Sequence, residues 1–547
     1  MELKTDVLVI GRGLAGSVAA VQAVKQGAQV MIAASGKGAS PNVNGFTSWQ
    51  DGSEDGLEAL LCDMLQAGRG MNDEPLVRAA LRESLGIYDL LEECGVPLLR
   101  DENGARIPKY GMSSGKKVLR GYRTKGEVGS LASNAFPQSF LQRGIRLLED
   151  AQMLFPVMEN GRVCGAIGQR SGEWVIIHAK AVILACGGIG TLIPSSTYPG
   201  DVSAGYVPFA LLAGAGLKDM EFLTYEPAVV RGIEGLGALS LPTSLWKAGA
   251  LLLNGKGERF LQKYYGTSEE LLSRGGRLDK EFVARCIAEE VALGRGTPHG
   301  GVWYDARGVD PEKIAQYSLK VRRLAAAGID LAKQPVEVYP GPHSHMGGVC
   351  VDAACRSDAA GLFACGESAG GFLGAGRMPG FGGASAVLLG SLAGKSAAAY
   401  IKMLSDDGST EDRIYQAFLH AQKMCRLFAD PNGTFREEVG RILQDSFSAI
   451  KSEEGLASGD ARLKALMAAH EGSDSPDDVL CAAKAFGAYM TARMMLTAAG
   501  MRKESRGCFM VREYDRQDPA WEKHIVFHLE EDGLKSAFQP PERSNHD

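Results

Sequence analysis

The chain lacks the sequence features that mark several classes of protein. None of its apolar runs approaches the roughly 20 residues that a membrane helix needs. Its N-terminus, MELKTDVLVIG, enters a strand pattern at once, without the basic and apolar segments of a secretion signal. The sequence therefore predicts a cytoplasmic protein that does not insert directly into a membrane.

Clustered cysteines are also missing. The 11 cysteines are scattered and include no Cys-x-x-Cys pair. The closest group is Cys350, Cys355 and Cys365, for which an iron–sulfur or zinc site is the alternative to isolated thiols in a reducing compartment. Isolated thiols are the favoured interpretation, so we expect no metal site.

No strong excess of charge of either sign is present. The net charge is −6 and the pI is near 6.0, which gives no electrostatic reason to expect nucleic acid as a partner.

A chain of 547 residues is too long for one hydrophobic core, so we expect two or three domains. Glycine is abundant, with 70 residues, and its clusters between apolar runs indicate backbone packed tightly against a ligand.

A nucleotide-binding turn lies close to the start of the chain. The segment TDVLVI predicts a buried parallel strand, SVAAVQAVKQGAQ has helical spacing, and VMIAAS predicts a second strand. The turn between the first strand and the helix reads Gly-x-Gly-x-x-Gly. Gly11 makes the tight turn, Gly13 lets the backbone approach a pyrophosphate, and Gly16 lets the helix pack on the strand. The pyrophosphate is then expected at the helix N-terminus.

The second strand lacks the acidic residue that usually binds a ribose hydroxyl in such a unit. It ends in Ala33-Ala34-Ser35, and Ser35 offers one hydrogen bond instead. Leu14 and Ala15, in the nucleotide-binding turn, complete the candidate contacts of this unit. The unit alone leaves the identity of the nucleotide open.

Two later glycine-rich turns identify the nucleotide as FAD. The apolar segment AVILACGGIG contains Gly187 and Gly188, and GLFACGESAGG leads from a strand into Gly366 and Glu367. The first resembles the ATGG-type turn of large FAD-binding proteins. The second resembles the strand whose acidic residue contacts the ribityl chain of the flavin. A dehydrogenase that binds only NAD does not need the second segment, so the three segments together predict an FAD site.

Further motifs resemble those of the flavoprotein subunits of the fumarate reductase/succinate dehydrogenase family. The segment HSHMGG resembles the family's H-x-x-M-G-G, and GAGRMPGFGGASAVLLG resembles its G-A-N-R-L-G-x-N-S-L segment. DMEF, NGKGERF and ESRG resemble its D-M-E-F, N-x-x-G-E-R-F and E-S-R-G. These matches run over nearly the whole chain. L-aspartate oxidase and adenylylsulfate reductase are relatives within the same resemblance.

The resemblance implies an α/β architecture of three domains. A Rossmann-like FAD-binding domain would hold residues 1–218 and 343–398, with an α+β capping domain inserted at 219–342. A helical C-terminal domain would hold residues 399–547. Long stretches of helical period within residues 410–500, rich in Ala, Leu, Met and Lys, agree with this expectation.

The resemblance also implies a chemistry. In the family, flavin N5 exchanges hydride with one carbon of an activated C–C bond, and a side chain exchanges a proton at the other carbon. A carboxylate substrate is clamped by an Arg and a His, which match Arg377 and His343. Gly382 and Ala384 belong to a segment that would bring backbone N–H groups near the flavin ring. The plainer alternatives are a surface salt bridge for Arg377 and a hydrogen-bonded loop histidine for His343.

The attachment of the flavin is expected to differ from that in part of the family. Covalently flavinylated members attach FAD through a His in the loop after the second strand. That loop here reads GKGASPNVNGFTSW, and no histidine precedes His178 in the chain. The sequence therefore predicts noncovalent FAD.

The substrate pocket is also expected to differ. The family's Q-F-H-P reads TYEP here, so a clamp His becomes Glu226, whose carboxylate would repel a substrate carboxylate unless it were protonated or paired. The family's acid/base Arg matches Lys280, which could serve as proton donor, and Arg277 and Arg274 are close alternatives. We therefore expect a small carboxylate-bearing substrate other than fumarate.

Three functions are compatible with these patterns. The first is an FAD-dependent reductase or dehydrogenase that acts on a C–C bond. The second is an enzyme resembling adenylylsulfate reductase, and the third is a flavin subunit that passes electrons to a partner in a larger complex. The sequence has no evident iron–sulfur or haem motif, so the electrons would come from a soluble donor or from another subunit, such as an iron–sulfur protein.

We predict about one FAD per chain, released as free flavin when the protein is denatured by acid or heat. The reason is the combination of three flavin-site segments with a loop that offers no histidine for attachment. Flavin fluorescence of the precipitated polypeptide and of the supernatant is the measurement. Fluorescence that remains with the denatured chain would contradict noncovalent binding.

Overall fold

The fold is taken from a computed structural model of the chain. The structure describes residues 1–236, 238–265, 280–404, 423, 426–471 and 479–544. Its strands are β1 (Glu2–Ile10), β2 (Val30–Ala34), β3 (Pro108–Ser113), β4 (Lys116–Tyr122), β5 (Arg146–Glu149), β6 (Ala151–Glu159), β7 (Arg162–Arg170), β8 (Glu173–Leu184), β9 (Leu217–Lys218), β10 (Leu223–Val230), β11 (Leu251–Leu253), β12 (Val302–Asp305), β13 (Val336–His345), β14 (Gly348–Val349), β15 (Leu362–Ala364), β16 (His524–Glu530) and β17 (Gly533–Gln539).

The α-helices lie mainly in the first 150 residues and in the last third of the chain. They are α1 (Leu14–Lys25), α2 (Glu54–Ala67), α3 (Glu74–Arg82), α4 (Ile87–Glu93), α5 (Val128–Gln142), α6 (Tyr206–Leu212), α7 (Leu261–Tyr265), α8 (Lys280–Ala292), α9 (Pro311–Ala315), α10 (Ser318–Ala326), α11 (Phe381–Ile401), α12 (Thr434–Ser446), α13 (Glu453–Ala469) and α14 (Val479–Met501).

The largest sheet is built around the predicted nucleotide-binding unit. Its strand order is β5-β2-β1-β8-β7-β6, and β15 also pairs with β8. Strands β1, β2, β5, β8 and β15 run parallel, whereas β6, β7 and β8 are joined antiparallel. The parallel arrangement places the ends of β1, β8 and β15 at one edge, and ligands of such sheets bind at this edge. The α/β fold that the sequence predicted is therefore confirmed.

Two helices pack against each other at very close range beside this sheet. Helix α11 includes a π-helical turn at Ser385–Leu389 and runs along α1. A Cβ at Gly390 would lie 2.5 Å from the carbonyl oxygen of Ala15, so the two backbones can approach only at a glycine.

Within the described residues, α11 is the one helix long and apolar enough to cross a membrane, and 61% of its apolar window is buried inside the molecule. Such burial is typical of a core helix.

A second sheet has its own hydrophobic core. Its strand order is β10-β13-β12-β11, and it lies within the range predicted for the capping domain except at the end of β13. Val230, Leu252 and Val338 are among the buried side chains that pack between this sheet and its helices. The division of the chain at residues 218, 342 and 398 stays a prediction, although a separate core is what an inserted domain requires.

The C-terminal region returns to the first part of the chain as strands. After α14, the chain forms the hairpin β16–β17, and β16 pairs with β9 in a sheet of order β14-β9-β16-β17. The expectation of a helical C-terminal region holds for α12, α13 and α14 but missed this hairpin. The run of β-branched and aromatic residues in HIVFHLE, whose first four side chains are all buried, is the strand signal that was present.

A buried group of ionic side chains fixes this hairpin. The Nδ1 of His524 lies 2.8 Å from Asp219 Oδ2, and its Nε2 lies 3.1 Å from Asp73 Oδ1. Asp73 is also paired with Lys218. Burial alone would lower the pKa of His524, but the two carboxylates outweigh it and raise this pKa to about 9. The imidazolium thus links α3, β9 and β16.

We predict that His524→Gln lowers the free energy of unfolding by about 3–5 kcal/mol near pH 6, because it leaves two buried carboxylates without their shared partner. The pKa of His524 is higher in the folded chain than its ordinary value of 6.5. Its contribution is therefore complete below about pH 6.5 and is lost as the pH rises through about 9. The difference in stability between the native chain and His524→Gln should therefore shrink from pH 6 to pH 10, and thermal unfolding of both proteins over this range is the measurement.

The matched control is His528→Gln. His528 lies on the same strand and pairs with Asp358, but its side chain is 40% exposed. We expect this variant to change stability by less than about 1 kcal/mol. A destabilisation by His524→Gln that is the same at pH 6 and pH 10 would show that the charge of His524 does not contribute.

Candidate active site

A cavity that is open to solvent lies at the edge of the large sheet where β1, β8 and β15 end. Its empty space, counted together with the solvent at its opening, is about 1360 Å³. Most of the predicted cofactor contacts line it, and they come from all three glycine-rich turns and from the start of α11. These residues are Gly11, Gly13, Ala15, Ser35, Gly187, Gly366, Glu367 and Gly382.

The other predicted contacts lie in or behind the wall of the cavity. The N–H of Leu14 donates to Ser40 Oγ at 2.8 Å. A Cβ at Gly16 would collide with the backbone at Gly11, and a Cβ at Gly188 would lie 2.5 Å from Glu367 Oε1. Ala384 is fully buried. These residues shape the wall rather than the surface that faces a ligand.

The wall fits an FAD molecule. Gly11 has a φ of +110°, and a Cβ there would collide with the carbonyl oxygen of Ala185, so only glycine allows this turn. The turn directs the N-terminus of α1 toward the cavity, where a helix stabilises a pyrophosphate. The cavity then continues to Glu367 and Gly382, which gives the extended shape that a dinucleotide needs.

Glu367 is held in place by three donors. Its Oε1 accepts hydrogen bonds from the hydroxyl of Tyr198, from the N–H of His345 at 2.8 Å and from Ser344 Oγ at 3.4 Å. Burial raises the pKa of the Glu367 carboxyl, and the hydrogen bonds oppose this effect. The carboxyl group therefore has a fixed position on the cavity wall.

Arg377 is available to bind an anion. Its guanidinium forms no ion pair and no hydrogen bond with any residue in the described part of the chain. A Cβ at Gly382 would collide with Arg377 Nη1, so glycine at this position leaves room for the guanidinium. The predicted alternative of a surface salt bridge does not occur among the described residues.

His343 is a neutral, oriented imidazole. Its Nδ1 lies 2.8 Å from the hydroxyl oxygen of Thr197. Burial and the nearby guanidinium of Arg377 lower the pKa of His343 to about 4. A histidine with this pKa is uncharged at neutral pH and can donate a hydrogen bond without carrying a positive charge.

Glu226 and Lys280 form an ion pair. Lys280 Nζ lies 2.8 Å from Oε2 and 3.0 Å from Oε1 of Glu226. The side chain of Glu226 is 6% exposed and that of Lys280 is 50% exposed. The repulsion of a substrate carboxylate, expected for a free Glu226, is therefore reduced by the pairing.

A second lysine lies near this pair. Lys320 of α10 donates to Ser240 Oγ at 3.0 Å. Burial lowers its pKa, and the charges of Glu226 and Lys280 also act on it. Both lysines and Glu226 in turn affect the pKa of His343, so the four side chains occupy one region.

The alternative proton donors and the candidate metal site remain from the sequence analysis. Arg277 and Arg274 lie outside the described residues. Among the residues that the structure describes, no group of three or more His, Cys, Asp or Glu side chains could hold a metal ion. Cys355 and Cys365 are buried, and burial raises the pKa of both thiols.

Three residues on the cavity wall were missed by the sequence analysis. Tyr198 and Asp201 come from the loop after the Gly187 turn, and Lys484 comes from α14. The acidic and aromatic residues of the segment TYPGD could have been noticed, because they directly follow a flavin-site turn. Lys484 gave no signal, since nothing local distinguishes it within a helix of small residues.

Comparisons with known proteins agree with this site. A sequence-family model described as "FAD binding domain" matches residues 6–382, and one described as "Fumarate reductase flavoprotein C-term" matches residues 436–542. A subunit of the fumarate reductase (CoM/CoB) of Methanothermobacter marburgensis is 28% identical, over 95% of this chain and 96% of that protein. An L-aspartate oxidase of Streptomyces coelicolor is 27% identical, over 97% and 92% of the two chains.

The solved structures show the same fold. Mycobacterium smegmatis Sdh1 in complex with UQ1 matches with a TM-score of 0.85 and 24% identity, over 99% of this chain and 95% of that chain. A single-residue variant of the E. coli quinol fumarate reductase matches with a TM-score of 0.85 and 23% identity, over 100% and 98%. Since the FAD-binding model covers more than half of the sequence, the chain belongs to this family and is an FAD-dependent oxidoreductase of the fumarate reductase/succinate dehydrogenase flavoprotein type.

Proposed function

We propose that this oxidoreductase acts on a C–C bond of a small, carboxylate-bearing substrate other than fumarate. The observation that supports this most is the pairing of Glu226 with Lys280 in the same region as Arg377, which has no bonded partner among the residues that the structure describes. When bound, FAD supplies the exchange of hydride at flavin N5. The chain's own residues bind the substrate and move the proton.

Arg377 and His343 would bind the substrate carboxylate. A guanidinium offers two parallel N–H donors to a carboxylate. The Thr197 hydroxyl lies 2.8 Å from Nδ1 of His343 and 3.3 Å from the carbonyl oxygen of Pro342. With its hydrogen directed at the closer Nδ1, the hydrogen of the neutral ring is at Nε2, where it would donate to the substrate. Both groups would also stabilise the negative charge that develops on the carboxylate side during reduction of the C–C bond.

Lys280 is the proposed proton donor. Its ammonium group would deliver a proton to the second carbon of the bond, and its half-exposed side chain can regain that proton from solvent. Glu226 holds the ammonium in place through both carboxylate oxygens. Arg277 is the alternative donor and lies outside the described residues.

The ion pair also limits what the far end of the substrate can be. A second carboxylate placed here would lie beside the oxygens of Glu226, and the ion pair with Lys280 would offset only part of the repulsion between the two carboxylates. A hydroxyl, an amine or a neutral group could donate to Glu226 instead. This favours a substrate with one carboxylate over a dicarboxylate.

A flavin subunit within a multi-subunit electron-transfer complex is the second candidate. The Methanothermobacter relative is itself named as one subunit of a reductase, which supports this candidate. Such a chain would receive electrons in the cytoplasm from an iron–sulfur protein or another donor. Copurification with an iron–sulfur protein would favour it, whereas turnover of the isolated chain with reduced viologen would favour the first. The third candidate is an enzyme resembling adenylylsulfate reductase. The solved structure of the adenylylsulfate reductase from Archaeoglobus fulgidus shares the fold of this chain, with a TM-score of 0.74.

We predict that the isolated chain with reduced viologen has a kcat/KM for monocarboxylic enoates at least about tenfold above that for fumarate. Two carboxylates at close range repel by a few kcal/mol at an effective dielectric constant near 20, and Lys280 offsets part of this energy. Glu226→His removes the repulsion but also the partner that positions Lys280, so we expect kcat/KM for fumarate to rise relative to that for the monocarboxylic enoates while the overall rates fall. Steady-state rates with a panel of substrates are the measurement.

Glu226→Gln is the matched control, because it keeps the shape of the side chain while it removes the charge and with it the ion pair to Lys280. It should narrow the preference for monocarboxylates without a change in FAD content. Equal activity of the native chain on fumarate and on the best monocarboxylate would refute the proposed substrate class.

A further inference from the structure

The end of β2 lacks the acidic side chain that binds a ribose hydroxyl in most dinucleotide-binding units. The chain continues from Ala34 into Ser35 and Gly36, and both of these residues line the cofactor cavity. Neither can supply a carboxylate. The recognition of the adenosine half of FAD is therefore not explained by the first βαβ unit alone.

A carboxylate from another part of the chain occupies this place. A Cβ at Gly36 would collide with Asp201 Oδ2, so the carboxylate of Asp201 lies directly against the end of β2. The same oxygen accepts the N–H of Gly38 at 2.8 Å. Glycine at position 36 is what allows this approach. Asp201 itself comes from the loop that follows the Gly187 turn.

The second oxygen of Asp201 is free to bind a ligand. Oδ1 accepts no hydrogen bond from the described residues, and Asp201 lines the cavity beside Ser35. The side chain is exposed at the mouth of the cavity. Its Oδ2 is fixed by the backbone of the loop after β2, so Oδ1 has a defined position.

The other nearby carboxylate is already used. Glu149 ends β5, which pairs with β2, and is in register with Ala34. Its Oε1 lies 2.6 Å from Arg12 Nη1, and it does not line the cavity. Of these two carboxylates, Asp201 is the one that lines the cofactor cavity.

We propose that Asp201 accepts a hydrogen bond from a hydroxyl of the adenosine ribose of FAD. The loop after the second glycine-rich turn thus supplies the acidic group that β2 lacks. This assignment concerns the binding of the cofactor and is independent of the substrate.

The test is a binding cycle with the full chain after removal of its flavin. FAD and an FAD analogue with a 2′,3′-dideoxyadenosine half are titrated into the native chain and into Asp201→Ala, with quenching of flavin fluorescence as the signal. The native chain should bind FAD about 10- to 100-fold more tightly than the analogue, as expected for a hydrogen bond to a charged group. Asp201→Ala should bind both ligands with the Kd that the native chain has for the analogue.

The controls separate this role from a general loss of structure. Asp201→Asn, which keeps the shape, should show an intermediate preference, and thermal unfolding of the flavin-free chains checks their folding. Asp515→Ala, at an exposed position away from the cavity, should bind both ligands as the native chain does. The proposal is overturned if Asp201→Ala keeps the native preference for FAD, or if Glu149→Gln removes that preference instead.

Discussion

The close approach of backbone to backbone is the constraint on which this structure depends. Gly11 lies against Ala185, Gly16 against Gly11, and Gly390 against Ala15, and a Cβ at any of these glycines would collide or nearly collide with a carbonyl group. The same contacts bring β1, β8, α1 and α11 together. The same glycine contacts therefore hold the core of the large sheet together and form the wall of the cofactor cavity.

Among the described residues of the active site, Arg377 stands out as a cation without a bonded partner. Glu226 uses both of its oxygens to hold Lys280, and Lys320 donates to a serine hydroxyl. Arg377 has no such partner among the described residues. His343 stays neutral because burial and Arg377 both disfavour its charged form. The described residues of this region thus include a guanidinium without a partner, a neutral imidazole and an ion pair.

Local motifs indicated residues that the structure brings together at one cavity, because a glycine-rich turn carries its geometry within a few residues. Gly13, Gly187 and Glu367 line the cavity as expected. Long-range partners could not be predicted in the same way. The pairing of Glu226 with Lys280 joins residues 54 positions apart. It reduces the repulsion of a substrate carboxylate that the replacement of the family's His by Glu226 had led us to expect. The hairpin β16–β17 was missed because the helical pattern before it extends over most of that region.

Helix α14 contributes Ala483, Lys484 and Gly487 to the wall of the cofactor cavity. Another part of that wall is made by Gly11, and the ribosome adds most of this polypeptide in the interval between the two. A chain shortened before α14 would therefore lack this part of the cavity wall, although it would still carry all three glycine-rich turns of the cofactor site.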